Sequence, residues 1–248
     1  MKKRRLDVAG ISDAGIVKEV NQDSFVFKVV DTGDYYSGIF AVADGVGGLE
    51  KGEVASAVAI SNLNKWWEHE FKSHYQDQPY LVKSLITMLK TANLEIIRLG
   101  QAEGVKMATT MSVLFIHMNQ AIIAHVGDSR IYKASGLISP KILQLTQDHS
   151  CFINREVNGR LVRKNVLTDC LGNKEEFKYF STMEPINKNE SYIICSDGIY
   201  KTMNDKELLK VIRSAKNDVQ AICSSLTDKV KSNGETDNIS VIAVHVSE

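Results

Sequence analysis

Ile39-Phe40-Ala41-Val42-Ala43-Asp44-Gly45 is an apolar run that ends on an acid and a glycine. The pattern returns in Ile122-Ile123-Ala124-His125-Val126-Gly127-Asp128-Ser129 and in Tyr192-Ile193-Ile194-Cys195-Ser196-Asp197-Gly198. It returns once more, with the acid leading, in Thr236-Asp237-Asn238 before Ile239-Ser240-Val241-Ile242-Ala243-Val244. Short apolar runs bounded by Gly, Asp and Ser read as buried strands. An aspartate at each end then stands at the mouth of a sheet. Any one Asp-Gly is ordinary turn punctuation. Four carboxylates gathered at one place need a neutralising charge, and a hard divalent cation bound through oxygen supplies it. Mg²⁺ or Mn²⁺ held this way activates water or binds phosphate.

The rest of the composition narrows the class. The chain has 248 residues, 44% of them hydrophobic and 24% charged, which is enough for a large buried core. Its formal net charge is zero, so no global basic field points to nucleic acid. The basic start Lys2-Lys3-Arg4-Arg5 leads into Leu6-Asp7-Val8-Ala9-Gly10 rather than an apolar core, so no signal peptide is expected. No run reaches the ~18 apolar residues of a spanning helix. Cytoplasmic residence is the default expectation. Cys151, Cys170, Cys195 and Cys223 form no C-x-x-C pair, and the histidines have no H-x-x-x-H spacing. Zinc and a disulfide framework are both disfavoured. Cys195 reads as core.

Strands are expected over 6–12, 24–30 and 36–43. A helix follows from about Gly52 to Phe71, and a second opens at Pro79 with Leu81, Leu85, Met88, Leu89, Leu94 and Ile97 on its apolar face. Closely spaced strands over 111–118, 121–126, 130–134 and 142–146 suggest antiparallel meanders. A polar, irregular stretch runs from Gln147 to about Lys178. Strands near 177–183 and 191–196 precede helices near Asp205–Ser214 and Asp218–Ser232, with Asp205 and Asp218 as N-caps. The last strand is 239–246. Strands then two helices, twice over, is not a βαβ alternation. It suits sheet packed on sheet with helices outside each.

The motifs, taken in order, resemble the metal-dependent protein serine/threonine phosphatases of the type 2C (PPM) family in their compact bacterial form. They are Ser12-Asp13-Ala14-Gly15-Ile16-Val17-Lys18-Glu19-Val20-Asn21-Gln22-Asp23-Ser24, Ala43-Asp44-Gly45-Val46-Gly47-Gly48, Gly52-Glu53-Val54-Ala55-Ser56, Ala108-Thr109-Thr110, Val126-Gly127-Asp128-Ser129-Arg130-Ile131-Tyr132, Leu145-Thr146-Gln147-Asp148-His149-Ser150, Asn165-Val166-Leu167-Thr168 with Leu171-Gly172, Cys195-Ser196-Asp197-Gly198 and Thr236-Asp237-Asn238-Ile239-Ser240. Each is weak alone; their order over nearly the whole chain is specific.

The resemblance implies an α+β fold: a four-layer α-β-β-α sandwich of two mainly antiparallel sheets flanked by helices. Residues 1–248 would form one catalytic domain with a flap at about 147–178. It implies two Mn²⁺ or Mg²⁺ ions and a third, weaker one. Asp44, Asp197 and Asp237 map onto the first ion's carboxylates. Asp44 and the Gly45 carbonyl map onto the second ion, Asp23 acts through bound water, and Asp128 with Asp197 maps onto the third. Lys18 takes the place of the phosphate-facing cation. A hydroxide bridging the two ions would attack phosphorus in line, with no side-chain nucleophile. The implied partners are phosphorylated proteins made by a bacterial-type Ser/Thr kinase, with a monomeric enzyme and neither nucleic acid nor membrane.

The departures are specific. Lys18 stands where the family usually has Arg, and a point charge grips phosphate less well than a fork. Val46, Leu49 and Glu50 offer no histidine in the Asp44 loop. That leaves bound water or His149 to protonate the leaving oxygen, while His149 also has a plain loop-ordering reading and Asp148 a capping one. Arg155, Arg160, Arg163 and Lys164 cluster in the flap region. Two other readings stay open: a phosphohydrolase for small phosphate esters on the same centre, and a non-catalytic regulator that kept the fold.

Overall fold

Residues buried on both faces of a sheet read as unbroken apolar runs, whereas half-exposed strands alternate. The computed structural model, which describes residues 3–136, 139–157 and 160–248 (backbone only for 155–157 and 160–164), shows why the quoted runs are so apolar. One sheet contains β1 (Arg5–Asp13), β6 (Arg130–Ser135), β7 (Lys141–Gln144), β11 (Ser191–Cys195) and β12 (Ile239–Ser247), in the order β1-β12-β11-β6-β7. The other contains β2 (Asp23–Asp31), β3 (Tyr36–Asp44), β4 (Met111–His117), β5 (Gln120–Val126) and β10 (Phe180–Pro185), in the order β10-β5-β4-β3-β2. Neighbours pair antiparallel throughout the described strands.

Alternation along β3 assigns each residue its layer. Phe40 and Val42 face the opposite sheet and pack with Leu114, Ile116, Ile194 and Val244. Ile39, Ala41 and Ala43 face the other way, onto helices α1 (Gly52–Trp66) and α3 (Gln78–Glu103). On the far side, α5 (Asp205–Ser214) and α6 (Val219–Ser232) cover Ile193, Cys195, Val241 and Ala243. Three apolar seams therefore bind four layers, α-β-β-α, as expected. Cys195 is buried core, and burial pushes its thiol up to about 12. No helix among the described residues is long and apolar enough to cross a membrane.

Several local expectations need correction. The helix expected through Phe71 is interrupted by a π-helical turn at Trp67–Phe71 before a last short helix, α2 (Lys72–His74). The wider turn brings Trp66, Trp67 and Phe71 all against Phe115, with ring centroids 5.3, 6.5 and 5.8 Å away. In α3 the buried face continues through Ala92 and Ile96, leaving Leu94 exposed. Leu94 lies two residues from either one, on the far side of a 3.6-residue period. The cap of α5 is Asn204, not Asp205. Asn204 accepts from the Lys206 and Glu207 amides while the Glu207 carboxylate accepts from the Asn204 amide. Asp218 caps α6 as expected.

The stretch from Gln147 to Lys178 is not all irregular. It holds a hairpin of β8 (Ser150–Val157) and β9 (Arg160–Leu167), whose described side chains join none of the three apolar seams. The side chains of Arg155, Arg160, Arg163 and Lys164 lie outside the described residues. β4 with β5, and β6 with β7, form the expected hairpins. β5 and β6, however, belong to opposite sheets. The Gly127-Asp128-Ser129 link crosses between them and sets Asp128 on the edge where both sheets open.

Candidate metal centre

Asp44, Asp128, Asp197 and Asp237, from four separate segments, line one cavity of about 520 Å³. Gly45, Val46, Gly47, Gly48 and Leu49 form one wall, and Asn165, Val166 and Leu167 at the foot of the hairpin form another. Asp23 stands directly across from Asp44 in the β2–β3 register. Like charges directly opposite on a ladder repel.

The surrounding polar network fixes these positions. The Thr110 amide and the Thr109 hydroxyl donate to the Asp44 carbonyl, at 2.8 and 2.9 Å, and the Asp44 amide donates to Thr110 Oγ1 at 3.0 Å. Gly45 is sterically required. A Cβ there would lie 2.6 Å from the Gly52 carbonyl and 2.7 Å from that of Gln22, so the Asp44 loop packs backbone on backbone. Ser196 Oγ donates to Asp23 Oδ2 at 2.9 Å. The Tyr200 hydroxyl donates to the Asp128 carbonyl at 2.7 Å, and the Arg130 guanidinium lies 3.7 Å over the Tyr200 ring. Asp148 anchors that guanidinium through both oxygens. Asp148 is thus a positioning residue three contacts away from Asp128, through Arg130 and Tyr200, rather than a cap.

His149 does not line the cavity. Its Nδ1 accepts from the Gly127 amide at 3.2 Å, and its own amide donates to the Gly127 carbonyl at 2.7 Å. It orders the loop that carries Asp128, the plainer of its two readings. Lys18 is not part of the cavity wall either, but its ammonium lies at the rim, 3.5 Å from Asp237 Oδ1.

Burial, then repulsion from Asp23, Asp197, Asp128 and Asp237, drives the Asp44 pKa well above the carboxylate range. Burial and the neighbouring Asp197 and Asp148 push Asp128 up to about 7, and burial lifts Asp23 to about 6. Burial raises Asp197 as well, against the pull of Lys201. Asp237 alone runs low: burial opposes it, but the Lys201 and Lys18 ammoniums more than offset that.

A divalent ion fits this donor set. The donors are carboxylates and a glycine carbonyl, the pattern a hard cation takes. Asp23 Oδ1 is buried with no hydrogen-bond partner, and a water held by such an ion would supply one. The one soft donor in the lining is Cys170, whose thiol burial pushes up to about 11. Among the described residues no three Asp, Glu, His or Cys side chains already converge on a single point. Lys201 Nζ lies 2.6 Å from Asp197 Oδ2 and 2.9 Å from Asp237 Oδ2 and engages both oxygens.

Lys201 lies outside the sequence motifs, and the motifs that contain Thr109, Thr110 and Asn238 do not by themselves show what these residues hold. The signal for Lys201 was its place four residues after Asp197, which a helical turn brings onto the same face. That turn, α4 (Asp197–Tyr200), was not expected because the helix was placed from Asp205.

The raised carboxyls make a pH-dependent prediction. Asp128 has a higher pKa folded than unfolded, so its favourable contribution holds at low pH and is lost as pH rises through about 7. His117 and His125, lowered by burial to about 4 and about 3, slope the opposite way over the same window. The variant must therefore be compared with its parent. In EDTA, Asp128→Asn should unfold roughly 5 °C or more above the parent at pH 8, and the gap should shrink steadily below pH 7 and largely close only at about pH 4.5, close to the unfolded pKa. Thermal unfolding at the two pH values measures it. A gap independent of pH would mean that the Asp128 charge is not what strains the metal-free site.

The chain matches the family model described as Protein phosphatase 2C over residues 16–233. It is 29% identical to the serine/threonine phosphatase stp of Listeria monocytogenes, over 94% of this chain and 93% of that protein. It is also 29% identical to the protein phosphatase PhpP of Streptococcus pneumoniae, over 98% of each. Among solved structures, PppA of Pseudomonas aeruginosa superposes with a TM-score of 0.76 at 25% identity, over 99% of this chain and 98% of that one. The serine/threonine phosphatase of S. agalactiae superposes with a TM-score of 0.81 at 24% identity, over 98% and 100%, a likeness of fold. The matched span runs from the Lys18 loop to the end of α6 and takes in Asp44, Asp128 and Asp197, so the chain belongs to the protein phosphatase 2C family and is a metal-dependent protein phosphatase.

Proposed function

We propose that this chain is one catalytic domain that hydrolyses phosphoserine and phosphothreonine in proteins at the Asp44–Asp128–Asp197–Asp237 cavity. One observation carries the reading: four aspartates from segments far apart in sequence line the same cavity. Asp44, Asp197 and Asp237 would hold one ion, and Asp44 with the Gly45 carbonyl a second. Asp23 would act through water, and Asp128 with Asp197 would serve a weaker third position. A related structure, the catalytic domain of PstP at 24% identity, is described in complex with two manganese ions, which supports this count. Bound there, Mn²⁺ or Mg²⁺ would activate a water for attack at phosphorus and offset charge on the phosphoryl oxygens.

The chain's own groups do the rest. Lys18, at the rim and half-exposed, offers its ammonium to the incoming phosphate. Thr109 and Thr110 hold the Asp44 backbone, which fixes where its side chain enters the cavity. Val46 and Leu49 give this wall of the cavity apolar side chains, so the loop offers no histidine to protonate the leaving oxygen. A phosphoserine or phosphothreonine substrate has to be made by a protein kinase. We read the enzyme as a cytoplasmic monomer that reverses such a kinase.

The test is turnover of phosphothreonine, phosphoserine and phosphotyrosine peptides beside an aryl phosphate, with Mn²⁺ and with EDTA. Metal-dependent turnover of the phosphothreonine and phosphoserine peptides over phosphotyrosine is expected. Turnover of the aryl phosphate alone would favour a small-ester phosphohydrolase. No turnover of any substrate by a folded, Mn²⁺-loaded protein would leave the non-catalytic reading.

A further inference from the structure

The ammonium of Lys201 occupies the edge of the cluster where an ion is expected. It bonds Asp197 Oδ2 at 2.6 Å and Asp237 Oδ2 at 2.9 Å. These are the two carboxylates assigned, with Asp44, to the first ion. An oxygen engaged by an N–H has less lone-pair density to offer a metal, and a positive charge beside the site repels a second one. Lys201 is also poised to leave. Its side chain is 44% exposed, and it follows a single helical turn. It belongs to the cavity lining, so the displaced ammonium need not leave the site.

We propose that Lys201 is a resident counter-ion of the carboxylate cluster, which competes with divalent metal for the Asp197–Asp237 edge and is displaced when an ion binds there. This rests on the metal reading of the site given above. The arrangement has two consequences. The metal-free protein keeps its acids partly neutralised and folded. In return, the ion at this edge binds more weakly than the carboxylates alone would hold it.

The experiment is calorimetric titration of the metal-stripped full chain with MnCl₂, for the parent, Lys201→Met, Lys201→Arg and Asp44→Asn. Thermal unfolding of each is measured in EDTA and in saturating Mn²⁺. Lys201→Met should bind Mn²⁺ about tenfold more tightly, the scale set by removing a unit charge a few ångströms from a divalent ion. Lys201→Arg keeps the charge and should stay near the parent. In EDTA the Met variant should unfold at a lower temperature than the parent, and saturating Mn²⁺ should close that gap. Lys201→Gln provides a second uncharged variant should the Met variant not fold. Unchanged or weaker Mn²⁺ binding in a folded, uncharged variant would overturn the role of Lys201. Loss of binding in Asp44→Asn beside that result would leave the metal site itself standing. Unaltered binding in Asp44→Asn would overturn both.

Discussion

Asp44→Asn should lose phosphopeptide turnover by roughly a thousandfold or more, the scale expected when a principal charge-holding group of the transition state is removed. In EDTA it should nonetheless unfold at a higher temperature than the parent. Both effects follow from the same geometry. Asp44 is half-buried, faces Asp23 across the β2–β3 ladder, and shares its cavity with Asp128, Asp197 and Asp237. Without a metal its charge is a liability, and an isosteric amide removes the repulsion while leaving the Thr109 and Thr110 contacts to the Asp44 backbone in place. With metal, the same charge is what holds the ions. Activity in Mn²⁺ and thermal unfolding in EDTA, measured on one preparation, test the pair. A variant both inactive and less stable without metal would indicate a damaged fold rather than a missing ligand. Retained turnover would remove Asp44 from the chemistry.

That trade explains which features were legible in the sequence. Strands buried on both faces must be apolar throughout, so β3, β5, β11 and β12 announced themselves, and the aspartates at their ends marked where the two sheets open. The carboxylates could be listed because nothing in a sheet edge calls for four of them. What stayed hidden depended on contacts between distant segments. The described side chains of the β8–β9 hairpin join none of the apolar seams, so they left no buried run to read. The π-helical turn at Trp67–Phe71 answers to Phe115 on a strand some forty residues later. Tyr200, Arg130 and Asp148 are ordinary polar or aromatic residues until folding stacks them behind the Asp128 loop. Lys201 looked like a solvated lysine because the turn that brings it back over Asp197 is a single turn long.

The second large effect is expected at Asn238, which acts on the chemistry through a loop. Its side-chain oxygen accepts from the Gln22 amide at 2.9 Å, and its side-chain nitrogen donates to the carbonyls of Ala14 and Val20 at 3.0 and 3.1 Å. These three bonds clip residues 14–22, with Lys18 in the middle, against the segment that carries Asp237. Gly15 lets the loop lie this close. Its φ is +81°, and a Cβ there would stand 2.3 Å from the Asp237 carbonyl oxygen. Asn238 is itself buried, so Asn238→Ala leaves three polar groups without their partner and should lower stability by about 2–3 kcal/mol. Freed of the clip, Lys18 no longer holds its place at the rim, and kcat/KM for a phosphothreonine peptide should fall about a hundredfold, the cost of misplacing a binding group by an ångström or so. Lys18→Ala should act mainly through KM, because it removes a contact made with substrate and transition state alike, whereas Lys18→Arg should hold or improve binding. The double variant Lys18→Ala/Asn238→Ala separates a clip that works through Lys18 from one that works through Asp237. If the clip serves Lys18, the double variant should be little worse in kcat/KM than the poorer single one. If the two losses multiply and Mn²⁺ binding weakens with Asn238→Ala alone, the clip serves Asp237 and the metal instead.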